Sequence, residues 1–300
     1  MNFDNDGMKP FAQARIFTFA YWLIGSFLLW SCGGSQPREQ QVAVTIEPQR
    51  YFAEKIAGDH FSIYTVVPPG QSPETYDPAP HEMVRIARSK AWLRIGRIGF
   101  ERVWMPTIRE NNPQLTFFDL SEGVRWLENE ETHDDAHGHV HDGGDPHIWN
   151  ATGSARIIAR NTLQAFVSLD PANETEYRAN CQQLLGEIED TERTLHELLD
   201  TLTCRTFIIY HPALTYFAED FHLTQLAIEA EGKEPSTASM KALVDRAKEA
   251  GVRVVFVQQE FDRKHAEQVA KEIGARVVTI NPLDVRWKEQ MIAIANELIH

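Results

Sequence analysis

The stretch ANETEYRANCQQLLGEIEDTERTLHELLDTL, residues 172–202, reads as one long amphipathic helix. Its apolar side chains recur at Tyr177, Cys181, Leu184, Leu185, Ile188, Leu195, Leu198 and Leu199, the three- and four-residue steps that align one face of an α-helix. Asp170-Pro171 separates it from the helical pattern SARIIARNTLQAFVSL before it, because a residue preceding proline avoids the α region. The helix is longer than the usual globular helix of about 10–14 residues, and it falls between two halves of the chain that share one rhythm. Before it, the strand-like runs VAVTI (42–46), FSIYTVV (61–67), AWLRIG (91–96) and LTFFDL (115–120) alternate with the helical runs QRYFAEKIAG, HEMVRIARS and ERVWMPTIREN, with Pro106 expected near the start of the last. After it, CRTFIIY, LTQLAIE, VRVVFVQ and ARVVTI alternate with HPALTYFAEDF, STASMKALVDRAKEAG, DRKHAEQVAKEIG and QMIAIANELI. A β-then-α alternation implies a mostly parallel sheet covered by helices. The expected fold is α/β, with two lobes that each hold a roughly four-stranded, mostly parallel sheet flanked by helices. The lobes are expected at 42–170 and 203–300, with 171–202 as the linking helix and a cleft between them.

The chain has 300 residues, 43% of them hydrophobic, and a formal charge of −14. A core is within reach, and the acidic balance argues against a nucleic-acid partner. The N-terminal 31 residues lie outside the fold. Lys9 and Arg15 precede IFTFAYWLIGSFLLW, which has the length of a secretory signal's apolar region and is shorter than the ~20 residues of a spanning helix. Asp4 and Asp6 upstream of Lys9 depart from the usual signal and leave Met8 as an alternative start. Cleavage before Cys32 would leave a lipid-modified first residue, with several acyl chains giving a durable membrane anchor. Residues 32–41 then read as a flexible tether. Cys181 and Cys204 lack metal-ligand spacing and are expected unpaired.

In open α/β sheets, ligands gather beyond the C-terminal ends of the strands. Four residues fall there: Glu74 after FSIYTVV, His147 after the last strand of the first half, His211 directly after FIIY, and Asn281 directly after VVTI. Each half supplies two. Mixed imidazole and oxygen donors suit Zn²⁺ and tolerate Mn²⁺ or Fe²⁺.

Four blocks carry a family resemblance: PPGQSPETYDPAP (68–80), DPHIW (145–149), YHPALTYFAEDF (210–221), and VVFVQQEF (254–261) followed by VVTINPL (277–283). LDPANETEYRAN (169–180) is similar to the start of the same family's linking helix. The chain resembles the metal-binding lipoproteins that serve ABC importers of zinc and manganese, the cluster A-I solute-binding family. The resemblance implies a pair of four-stranded α/β lobes, a rigid linking helix, a metal ion in the cleft and a permease in the membrane as partner. It places His147 and His211 where members carry ligating histidines. Glu74 stands where the first histidine usually is, and Asn281 where many members have an aspartate. Glu260 is a nearby acidic candidate, although the family's glutamate in that block aligns with Gln258. The expected core is Glu74, His147 and His211, completed by water or by the weak carbonyl donor of Asn281.

HDDAHGHVHDGGDPHIWN, residues 133–150, adds His133, His137, His139 and His141 within nine residues, and seven acidic side chains lie between Glu128 and Asp145. Neutral imidazoles in such a loop are available to collect zinc weakly and raise its local concentration. By the resemblance, zinc-directed members often carry such an insertion and manganese-directed members usually lack it. The leading expectation is therefore a monomeric, lipid-anchored zinc-binding protein on the periplasmic or extracytoplasmic side, delivering Zn²⁺ to a permease and catalysing no reaction. A manganese- or iron-binding protein of the same type, a zinc-buffering surface protein or adhesin, and a zinc-dependent hydrolase with Glu260 as base stay open. HExxH and GxSxG are both absent, which weighs against the hydrolase.

Overall fold

The computed structural model describes residues 40–127, 144–229 and 235–300. The signal segment, Cys32 and the histidines at 133, 137, 139 and 141 lie outside the described residues.

Four strands make the first sheet: β1 (Gln41–Val44), β2 (Ser62–Thr65), β3 (Ala91–Arg94) and β4 (Thr116–Asp119), in the order β2-β1-β3-β4, all parallel. Four more make the second: β5 (Thr206–Ile209), β6 (Thr224–Ala227), β7 (Val254–Gln258) and β8 (Arg276–Ile280), in the equivalent order β6-β5-β7-β8, again all parallel. A parallel sheet needs helices on both faces, and the central strands show it. Val42, Ala43 and Val44 of β1 are fully buried, and every residue of β7 is buried. Gln41, assigned to the tether by its polarity, opens β1 opposite Ser62.

The helices are α1 (Glu47–Ala57), α2 (Pro80–Arg88), α3 (Gly99–Asn111), α4 (Thr152–Leu169), α5 (Glu174–Leu199), α6 (Thr215–Asp220), α7 (Thr237–Glu249), α8 (Lys264–Ile273) and α9 (Trp287–Ile299). Helix α1 stops at Gly58, whose φ of 56° suits a residue without a Cβ. Pro106 lies within α3, not near its start, because the helix begins at Gly99. Pro171 opens a short 3₁₀ turn (Pro171–Asn173) between α4 and α5, where the proline was expected to break the pattern.

Helix α5 is the linking helix. Its buried residues are Tyr177, Cys181, Leu184, Ile188, Thr191, Leu195 and Leu199, steps of three and four that keep one seam facing the core. Leu185 and Leu198, on the flanks of that seam, are only partly buried. The helix packs against α1 and α4 of the first lobe and α9 of the second. One continuous apolar cluster therefore runs from Val42 and Trp92 through Ile158 and Ile188 to Phe207, Phe256 and Met291. A second cluster fills only the outer face of the second sheet, under α7 and α8. Trp287 crosses between the lobes: its ring lies 5.5 Å from that of Phe52, and its indole N–H donates to the Trp149 carbonyl at 2.6 Å. Cys181 and Cys204 are both free thiols.

A core shared across the lobes should melt as one. We expect Ile188→Ala, at a fully buried seam position, to cost about 2–5 kcal/mol and to lower a single calorimetric transition. Two separate transitions, one per lobe, would show the lobes to be independent.

Candidate metal centre

His147 and His211 approach from opposite lobes. His147 leads into a 3₁₀ turn (Ile148–Asn150) before α4, and His211 follows β5. Their Nε2 atoms are 3.2 Å apart, with ring planes at 73°. Each ring's other nitrogen faces a carboxylate. His147 Nδ1 is 2.7 Å from Asp145 Oδ1, which also accepts the His147 backbone N–H at 2.8 Å. His211 Nδ1 lies 3.3 Å from Glu229 Oε2. A carboxylate accepts, so each Nδ1 carries the hydrogen, and in the neutral ring each Nε2 is left with a lone pair. Two such lone pairs 3.2 Å apart repel unless a proton or a metal ion sits between them. Nitrogens at about 2.0–2.1 Å from a tetrahedral zinc ion would stand about 3.3 Å apart, close to the spacing seen.

Neighbouring side chains hold both histidines in place. Gln258, almost fully buried, clamps His211 on two sides: its amide donates to the His211 carbonyl at 2.6 Å and its carbonyl accepts the His211 N–H at 3.3 Å. Phe261 stacks on the His211 ring at 5.4 Å and 21°, while Trp149 meets His147 edge-on at 5.2 Å. Across the cleft, Trp149 donates to the Pro282 carbonyl at 3.0 Å, Asn150 to the Ala213 carbonyl at 2.8 Å, and Tyr216 to the Asp145 carbonyl at 3.0 Å.

The imidazoles open onto a cavity of about 20 Å³ that Glu74 and Glu260 also line, large enough for one water or one ion. Glu74 Oε1 and Glu260 Oε2 are buried there without a hydrogen-bond partner. A buried carboxylate oxygen with no donor is costly, and a cation would satisfy both. Among the described residues, no three His, Cys, Asp or Glu side chains are drawn up closely enough to hold an ion. The two imidazoles stand at ligand spacing, and the carboxylates wait in the same cavity. Asn281 is placed differently from the expectation. Its Oδ1 accepts the Leu283 N–H at 3.2 Å, which makes it a turn residue, and the cavity lining includes Pro282 and Leu283 instead. Glu260, the nearby acidic candidate, does line the cavity.

The electrostatics suit a cation. Burial works against the charged form of His147, but Asp145 more than offsets it and holds the imidazole above its ordinary value, with Glu74 and Glu260 adding to the pull. Burial likewise works against the Asp145 carboxylate, and the charge and hydrogen bonds of His147 still hold it below its usual range. Burial pushes Glu260 up, against its own backbone N–H and the two imidazoles.

Sequence reasoning placed Glu74, His147 and His211 but did not single out Asp145 or Glu229. Both had a signal. Asp145 is two residues from His147, within reach of its backbone N–H and ring, and Glu229 ends the strand run beside the one that carries His211.

Residues 42–295 match the family model for the zinc-uptake complex component A, periplasmic (ZnuA). A crystal structure of ZnuA superimposes with a TM-score of 0.80 at 34% identity, covering 87% of this chain and 98% of that one. The high-affinity zinc uptake system protein ZnuA of Bacillus subtilis (strain 168) is 26% identical over 279 residues, covering 88% of this chain and 87% of that protein. The manganese-binding lipoprotein MntA of Halalkalibacterium halodurans is 25% identical over 228 residues, covering 75% and 72%.

Protons and a metal ion compete for His147 Nε2. Because Asp145 raises the proton affinity of this ring, zinc affinity should begin to fall while the pH is still above the ordinary histidine value of about 6.5 and keep falling as the pH drops. Asp145→Asn should move that fall to lower pH and weaken binding at pH 8 by about 10–100-fold. Chelator competition across a pH series measures both. An unchanged pH profile in the variant would remove Asp145 from the site.

Proposed function

Because the chain belongs to the ZnuA family of periplasmic zinc-uptake components, we propose that it captures Zn²⁺ between its two lobes and delivers it to the permease of an ABC importer. The observation that carries this reading is the pair of Nε2 atoms at 3.2 Å, each with its opposite ring nitrogen committed to a carboxylate. Zn²⁺ would sit between the imidazoles and draw in Glu74 Oε1 and Glu260 Oε2 to complete four donors. Two carboxylates balance the charge of one divalent ion. The ion and protons compete for the same imidazole nitrogens, so capture at low pH releases protons.

Two imidazoles at tetrahedral spacing favour zinc, while the two oxygen donors keep Mn²⁺ as the second choice; one of the similar proteins is a manganese-binding lipoprotein. The protein acts as a carrier and not as an enzyme, in keeping with a family of transport components. The remaining assignments follow the sequence. Lipid on Cys32 would hold a monomer at the extracytoplasmic membrane face, and His133, His137, His139 and His141 would collect zinc weakly near the cleft. Release would depend on the permease, since the shared core and the cross-cleft hydrogen bonds oppose wide opening.

Metal content and chelator-competition affinity test this in wild type, Glu74→Ala, His211→Ala, Glu260→Ala, Asn281→Ala and a deletion of residues 133–141. The first three variants should each lose tight zinc binding by at least about tenfold. Asn281→Ala should keep it. The deletion should lose weak extra equivalents and keep the tight one. Equal tight binding in all six proteins would overturn the assignment.

A further inference from the structure

The Glu74 carboxylate is gripped from behind. Its Oε2 accepts the backbone N–H of Gly99, the first residue of α3, at 3.0 Å. The next N–H of that helix, from Phe100, donates to the Pro73 carbonyl at 2.9 Å. The first turn of α3 thus holds residues 73 and 74 through two of the donors that a helix N-terminus leaves free, and its dipole favours the carboxylate's charge. With Oε2 occupied, Oε1 is the oxygen left for the cavity, where it is buried and unpartnered.

The approach is so close that only glycine fits. A Cβ on Gly99 would lie 2.4 Å from the Glu74 carbonyl oxygen, 2.7 Å from Oε2 and 2.9 Å from the Glu74 Cα. Two of those atoms are backbone, so no rotamer change relieves the clash. Gly99 is not in the left-handed region; its small size, not its backbone freedom, is what the contact requires.

The helix start is itself fixed by Glu101, which is fully buried. Its carboxylate accepts the Ile95 N–H at 3.0 Å, the Gly96 N–H and the Thr45 hydroxyl. Thr45 in turn accepts the Trp92 indole N–H at 3.1 Å. Gln49 ties the same strand ends: its carbonyl accepts the N–H groups of Thr45 and Ile46 at 2.9 and 3.0 Å, and its amide donates to the Leu93 carbonyl at 3.0 Å. Glu101 therefore locks the segment that runs from β3 into Gly99.

We propose that Gly99, backed by Glu101, is a positioning residue for Glu74: it fixes which carboxylate oxygen is presented to the ion and from what place. The proposal rests on Glu74 being a ligand. It deepens that reading, because the carboxylate would bind through one oxygen, the mode that keeps the coordination number low and suits tetrahedral zinc.

A double-mutant cycle on the mature chain tests it, with zinc affinity by chelator competition and the visible absorption of bound Co²⁺ as readouts. Gly99→Ala should lower zinc affinity by about 10–100-fold and alter the Co²⁺ spectrum. In the Glu74→Ala background the same substitution should cost no further zinc affinity, since the carboxylate it acts through is gone, while the backbone clash at residue 74 lowers stability in both backgrounds. Wild-type affinity and spectrum in Gly99→Ala would overturn the proposal. So would an equal loss in both backgrounds, which would mark a structural effect that does not pass through Glu74. Wild-type affinity in Glu74→Ala alone would instead refute the ligand assignment beneath it. If circular dichroism shows Gly99→Ala unfolded, Glu101→Gln is read in the same cycle: a loss present with Glu74 and absent without it supports the proposal, and any other pattern overturns it.

Discussion

Two nitrogen lone pairs held face to face are the constraint on which the rest of this structure depends. Imidazole Nε2 atoms at 3.2 Å, with both Nδ1 hydrogens directed at carboxylates, make an arrangement that needs a proton or a metal ion between them. Asp145, Glu229 and Gln258 fix the rings, and the rings come from opposite lobes. The fold must then hold two separate sheets in fixed relation. It does so with a core that ignores the lobe boundary and with a 26-residue helix packed against both halves.

That scaffold explains how a site can be tight and also give up its cargo. The cavity is only large enough for one small occupant, and indole and amide hydrogen bonds cross the cleft. Wide opening would break those bonds and expose shared core. Glu260 and Phe261 sit on the turn after β7, whereas Glu74 is tied to the first turn of α3. A partner that shifted a carboxylate would loosen the ion without unpacking the molecule.

Much of this was legible in the residues. The β-then-α rhythm, the Asp170-Pro171 break and the apolar seam of 172–202 specify two parallel-sheet lobes and a linking helix, because parallel strands and long amphipathic helices have distinct periodicities. The placement of Glu74, His147 and His211 followed from strand ends and from a family resemblance. The choice between Asn281 and Glu260 was not legible. Both lie just past strands, and only the fold shows that Asn281 turns its carbonyl to the Leu283 N–H while Glu260 lines the cavity. Pro106 misled as a helix-start signal because α3 begins at Gly99, a residue that a helix-propensity argument would place outside it. The need for glycine there comes from a contact 25 residues away in sequence, and nothing local announces it.

The most direct test is anomalous diffraction at the zinc edge from crystals of the mature chain grown with one equivalent of Zn²⁺. The account predicts a single strong peak between His147 Nε2 and His211 Nε2, within about 2.0–2.2 Å of both. A tightly held ion bound elsewhere, with those two nitrogens unliganded, would contradict it.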